Sequence, residues 1–218
     1  MRRLLFAPTA LLMLLTAAGA DAQIIRPRYE LGQPTGSLSL GAAIQQGWTV
    51  TDGSTHSRWQ FGDATQWVAS LEKALSGGAS IGLRGTYSNA ALQYTPLASS
   101  GVTTQTDANA NVSQLFATLH VANGTGFHSV LELSAGATMY SQFKAQAGTA
   151  LPPSAADLDF SFAFGYGFGY AFSPRFSVDV VQDVTTALHQ KTGLSAGDNS
   201  SVRMHGTRLV GRFGIGGH

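Results

Sequence analysis

The 218-residue sequence contains no cysteine, so no disulfide framework can hold it together. Charge is scarce as well: 13 basic and 12 acidic side chains make up 11% of the chain. Beyond the N-terminal segment there is no run of about 20 apolar residues, which excludes a helical membrane protein. The N-terminal segment itself begins with Arg2 and Arg3, continues uncharged from Leu4 to Ala20, and offers small residues at Ala18-Gly19-Ala20 and Ala20-Asp21-Ala22. That is the pattern of a secretory signal peptide over residues 1–22; the run is too short, and too interrupted by Pro8 and Thr9, to be an anchor. Cleavage removes Arg2, Arg3 and Asp21 and leaves 11 basic against 11 acidic side chains, a formally neutral chain. No basic stripe remains to neutralise phosphates, so no nucleic-acid partner is expected. About 196 residues suffice for one domain, which must be held by something other than disulfides.

What is present is alternation. Leu158, Phe160, Phe162, Phe164, Tyr166, Phe168, Tyr170 and Phe172 occupy every second position, and between them stand Asp159, Ser161, Ala163, Gly165, Gly167, Gly169 and Ala171, with Asp157 before them. A helix would scatter these rings around its girth, whereas a strand sends them all to one face. Such a strand runs roughly 50 Å at about 3.3 Å per residue, far beyond the usual globular strand, and the natural solvent for its greasy face is lipid.

The same period recurs elsewhere. Leu38, Leu40, Ala42, Ile44 and Trp48 share a face, as do Ile81, Leu83 and Tyr87, and Leu115, Ala117, Leu119 and Val121. Phe127, Leu131, Leu133, Ala135, Ala137, Met139 and Phe143 form another set, opposed by His128, Glu132, Thr138, Gln142 and Lys144. Phe176, Val178, Val180, Val184 and Leu188 oppose Ser177, Asp179, Asp183 and Thr185; Leu209, Phe213 and Ile215 oppose Arg208 and Arg212. Residues 64–75 fit a strand with Trp67, Ala69 and Leu71 on one face, yet Ala64, Trp67, Val68, Leu71, Ala74 and Leu75 also fall at helical spacing. The connections favour the strand. Short links at 76–79, 122–126 and 173–175 alternate strictly with longer ones near 52–58, 95–108, 145–156 and 190–201, which places short turns at one rim of a barrel and long loops at the other. A helix at 64–75 would leave seven strands where bacterial single-chain barrels use even numbers. The expectation is an all-β, eight-stranded antiparallel up-and-down transmembrane barrel over residues 36–218, preceded by a leader at 23–35.

At this point the chain resembles the OmpA-like family of small outer-membrane barrels, over roughly Gly36 to Gly216. The resemblance is carried by the hairpin Tyr166-Gly167-Phe168-Gly169-Tyr170-Ala171-Phe172-Ser173-Pro174-Arg175-Phe176-Ser177-Val178-Asp179 and by the closing strand Leu209-Val210-Gly211-Arg212-Phe213-Gly214-Ile215-Gly216. It implies a monomer in the outer membrane, surrounded by lipid and lipopolysaccharide and inserted by the barrel assembly machinery. Family members commonly finish on an aromatic residue read by that machinery, whereas this sequence runs past Phe213 to His218.

An eight-stranded barrel is just wide enough for side chains to fill. Seven charged residues are assigned to the lumen, Glu72, Arg84, Glu132, Asp179, Asp183, Arg208 and Arg212, and shielded charges of both signs tend to pair. A salt-bridged plug is the preferred reading and a switching gate for small ions the alternative. His120 and His128 both face inward near the short-turn rim, but two ligands without a third make a poor metal site. No metal, cofactor or catalytic residue is assigned. For catalysis, His189 has Asp183 as the nearest inward acid on its own strand, about 20 Å away at about 3.3 Å per residue. The barrel enzymes that deacylate lipid A carry a His two residues before a Ser, and here Gln190 and Lys191 follow. Gly165, Gly167 and Gly169 do not form a phosphate loop; small inward residues make room for larger ones. The favoured function is a non-enzymatic structural or surface-interaction role, with a narrow small-solute channel, a lipid-A-modifying enzyme and a soluble periplasmic ligand-binding barrel as alternatives.

Overall fold

The structure, a computed structural model, describes residues 33–97, 104–122, 125–189 and 201–217. The signal peptide, most of the leader, residues 98–103 of the link at 95–108 and residues 190–200 of the link at 190–201 lie outside the described residues. Ten strands follow in chain order: β1 (Gly36–Gln45), β2 (Thr49–Asp52), β3 (Ser57–Phe61), β4 (Ala64–Ala74), β5 (Ala79–Pro96), β6 (Thr106–Ala122), β7 (Gly126–Ala145), β8 (Asp157–Ser173), β9 (Phe176–Leu188) and β10 (Ser201–Ile215). Every pairing is antiparallel, β4 to β10 pair in succession, and β1 joins β4 on one side and β10 on the other. The sheet therefore closes on eight strands. The other two, β2 and β3, prolong the β1–β4 hairpin: β3 lies along Leu92–Pro96, on the length of β5 that reaches past β4. Residues 64–74 are strand, not helix, because tertiary pairing on both edges overrides a spacing that suited either.

The rings point outward. Phe168 is 59% exposed and Trp67 65%, while Arg84, across the wall, is 4% exposed. A soluble barrel with an aromatic interior is thereby overturned. Trp67 pairs with Tyr87 at one margin of the apolar belt; at the other Phe172 stacks on Phe176, which meets Phe213 at a tilt. The rim beside these phenylalanines carries the tight turns, including one with Gly77 and Gly78 at positive φ, where glycine alone is unstrained.

Two sequence expectations fail, both at bulges. Trp48 is buried, not lipid-facing, because residues 46–48 leave the ladder and move the next inward side chain from Gln45 by three positions. The partner strand breaks opposite it, where Phe61 and Ala64 are both inward around Gly62 and Asp63, and Trp48 stacks on Phe61 with centroids 4.4 Å apart. Phe143 is likewise buried. Gln142 adopts φ 54°, the β6–β7 register shifts between Asn109 and Asn111, and the extra residue turns Tyr140 and Phe143 to the same interior. Gln142 and Lys144, assigned to the lumen side, are accordingly outside.

The breaks separate two zones. β7 has 20 residues, so at about 3.4 Å each and a tilt of about 40° it rises about 50 Å, twice the height of about 25 Å for a lipid-facing band. The surplus stands beyond the bilayer at the long-loop end. Its outer face turns polar just above Tyr87, where Asn89 and Asn111 side-chain amides donate to Asn111 (2.7 Å) and Gln142 (3.0 Å) respectively. Its interior is an aromatic core of Trp48, Trp59, Phe61, Tyr94, Tyr140 and Phe143.

The belt predicts its own depth profile. Phe164→Arg, mid-strand in β8, should destabilise the barrel in lipid vesicles by about 2–4 kcal/mol, and Phe172→Arg, at the rim, by about 0–1 kcal/mol. Equilibrium denaturant unfolding measures both, and equal costs would contradict the placement of the belt.

Candidate functional site

The register places ionisable residues in rows across the wall. Ser80, His120, Glu132, Gly165, Asp183 and Gly206 are successive Cα partners from β5 to β10. A second row runs His128, Gly169, Asp179 and Val210. In both rows a glycine of β8 stands between larger groups on β7 and β9. A Cβ on Gly169 would collide with the Asp179 carboxylate and His128 Nε2, and one on Gly165 would lie 2.9 Å from Asp183 Oδ1. Bare backbone at these positions lets β7 and β9 meet inside the lumen over the top of β8.

Four of the seven charged lumen residues meet at mid-height. Arg84 Nη1 donates to Glu132 Oε2 at 2.6 Å and lies 3.5 Å from Asp183 Oδ1. Arg208 donates through Nε to Asp183 Oδ2 at 2.7 Å and through Nη2 to Glu132. His120 Nδ1 is 2.8 Å from the other Glu132 oxygen, and the Arg84 guanidinium lies over the Phe116 ring, 5.4 Å from its centroid. Strands β5, β7, β9 and β10 are thus tied across the lumen by two cations and two carboxylates. Glu72 and Arg212 form a separate pair nearer the short-turn rim: Arg212 Nη2 donates to Glu72 Oε2 at 2.7 Å, and Ser80 donates to the same oxygen. Asp179 joins neither group. It accepts from His128 Nε2 at 3.1 Å, while His128 Nδ1 faces the Gly126 carbonyl at 3.1 Å. The two histidines that share a sequence face therefore serve different carboxylates.

Below these pairs, a cavity of about 300 Å³ opens at the short-turn rim, lined by His120, His128, Asp179 and Arg212 among others. Above them the lumen narrows to a void of about 20 Å³ between Gln45, Gln66, Gln114 and Met204. The external aromatic core follows.

One further cluster escaped sequence reasoning. His189, one residue past β9 and 2% exposed, directs Nδ1 to Asp159 Oδ2 at 2.9 Å and to Asp157 Oδ2 at 3.5 Å. Its acid comes from the adjacent strand, not from Asp183 on its own. Burial disfavours the imidazolium, but the hydrogen bond to Asp159 and the charges of Asp159, Asp157 and Asp52 outweigh it, and the pKa of His189 is raised. Nε2 is buried with no hydrogen-bond partner among the described residues, so none of their hydroxyls is engaged by it. The signal was present as parity: Asp157 and Asp159 share the inward face of β8, and His189 continues that of Asp179 and Asp183.

Removing one member of the mid-lumen group strands its partners. Glu132→Ala should cost about 3–5 kcal/mol in equilibrium unfolding, because Arg84 and Arg208 stay buried with less countercharge. Gly169→Val should prevent the heat-modifiable gel shift of a folded barrel, while Ala171→Val, on the same face nearer the rim, should retain it.

No protein-family model matches the sequence, and no curated protein matches it significantly. Solved structures do match its fold. Neisserial surface protein A aligns over 84% of this chain and 99% of its own, with a TM-score of 0.55 at 10% identity. The attachment invasion locus protein Ail of Yersinia pestis covers 84% and 100% (TM-score 0.44, 15% identity), and the N-terminal barrel of Pseudomonas aeruginosa OprF covers 84% and 99% (TM-score 0.42, 14% identity). With its closed eight-stranded wall and outward apolar belt, the chain has the fold of the small outer-membrane β-barrels.

Proposed function

We propose that this barrel is a sealed, non-enzymatic element of the outer membrane that braces the envelope and holds a rigid extension outside it for contact with external partners. The observation that carries the reading is the mid-lumen group: Arg84, Arg208, Glu132 and Asp183 tie four strands across a bore already narrow for eight strands. A sealed bore suits a scaffold. The extension supports the second half of the proposal, since a buried aromatic core in the extramembrane zone, together with the added β2–β3 hairpin, keeps that zone ordered without help from lipid. Loops on such a support are where recognition is commonly found. Catalysis gains no support from His189, whose imidazole is buried among Trp59, Tyr140 and carboxylates.

The competing reading is a narrow channel, favoured by the open cavity of about 300 Å³ at the short-turn rim. Conductance in planar bilayers separates the two. The sealed barrel should give no stable unitary conductance, and the double variant Arg84→Ala, Glu132→Ala should raise ion leakage. A steady conductance in the wild-type chain would establish the channel instead.

A further inference from the structure

Asp157, Asp159 and His189 stand apart from the mid-lumen ion pairs, at the long-loop end of the lumen. Asp157 and Asp159 occupy alternate positions at the start of β8, and His189 lies one step beyond the last β8–β9 pair, Phe160 with Leu188. One ligand atom from each of the three lies within 4.8 Å of the other two. Two ligand atoms each about 2.1 Å from a shared ion are about 3.0 Å apart at a right angle and about 3.4 Å apart at the tetrahedral angle. The separations from His189 Nδ1, 2.9 Å to Asp159 and 3.5 Å to Asp157, match those values.

The surroundings supply independent observations. Tyr140 is the ladder partner of Asp157, is fully buried, and sets its ring nearly perpendicular to the His189 imidazole with centroids 6.2 Å apart. Its hydroxyl lies in the field of Asp159 and Asp157 and has no hydrogen-bond partner; the Trp48 indole beside it does not reach hydrogen-bond geometry. An ion seated between the carboxylates brings a coordinated oxygen that such a hydroxyl can bond. The imidazole is also turned correctly. With a metal on Nδ1 the ring carries its proton on Nε2, on the side of Asp52, whose Oδ1 lies 4.0 Å away, beyond direct hydrogen-bond reach.

We propose that Asp157, Asp159 and His189 bind a divalent transition-metal ion that clips the start of β8 to the end of β9. One imidazole with two carboxylates favours an ion of the zinc type over calcium or magnesium, which take oxygen alone. The site would fix the first residues of β8 against the end of β9 at the long-loop rim.

The test uses the mature chain folded in detergent micelles, with Zn²⁺ as the ion and Co²⁺ as its spectroscopic stand-in. Calorimetric titration should give one saturable Zn²⁺ per barrel, Co²⁺ should show the d–d absorption of a low-coordinate nitrogen–oxygen site, and Zn²⁺ should raise the unfolding temperature until a chelator reverses it. Asp159→Asn and His189→Gln should weaken binding about tenfold or more. Asp157→Asn, at the half-exposed ligand, should do the same in a barrel that still shows its gel shift, so a folding defect in the buried variants leaves the proposal testable. His205→Gln, on the outer face, should leave stoichiometry and affinity unchanged. Absence of saturable Zn²⁺ binding in the folded wild type, or binding whose affinity is the same in Asp157→Asn, overturns the proposal.

Discussion

A backbone amide in hydrocarbon has no water to bond, so a sheet that crosses a bilayer must leave no edge, and pairing β1 with β10 removes the last one. Much of the remaining structure follows from that closure. Eight strands make a bore that side chains fill, and a residue turned away from lipid is forced into it. The charges must therefore share a small volume at low dielectric, where an unpaired ion is very costly and a paired, hydrogen-bonded one is tolerable. Two arginines against Glu132 and Asp183 meet that requirement with near-complete use of the carboxylate oxygens.

Glycine decides who can meet. Glu132 and Asp183 lie two strands apart, as do His128 and Asp179, and each pair is separated by a β8 residue with no side chain. On the other face of the same strand stand the phenylalanines and tyrosines. One segment thus gives lipid its bulk outward and the lumen its space inward, which is why its alternation is so extreme.

The wall also changes solvent along its length. Within the belt the outside is apolar and the inside polar; beyond Trp67 and Tyr87 the outside becomes an amide-bonded polar surface and the inside an aromatic core. In β5 the sequence alone makes the inversion, since Ala90, Leu92 and Tyr94 continue the inward positions of Arg84 and Ser88. At Trp48, Phe61 and Phe143 it comes with a change of parity, at the breaks 46–48 and 62–63 and the bulge at Gln142. Trp48 and Phe143 depart from the simple alternation for this reason. A uniform period of two, extended through a bulge, sends every later side chain to the wrong face.

The strand period, the number of crossings, the rim asymmetry and the inward assignment of Glu72, Arg84, Glu132, Asp179, Asp183, Arg208 and Arg212 were legible in the linear pattern, because side-chain direction in a strand depends only on position parity. Partnership was not legible. Whether Asp179 faces an arginine or His128, and whether His189 meets Asp183 or Asp159, depends on how far neighbouring strands slide before the barrel closes, and that stagger belongs to the closed wall as a whole. Bulges stayed hidden for a related reason. One residue at positive φ, or a short break in the ladder, is stabilised by the partner strand and the core it serves, so only the assembled tertiary structure decided where parity would change.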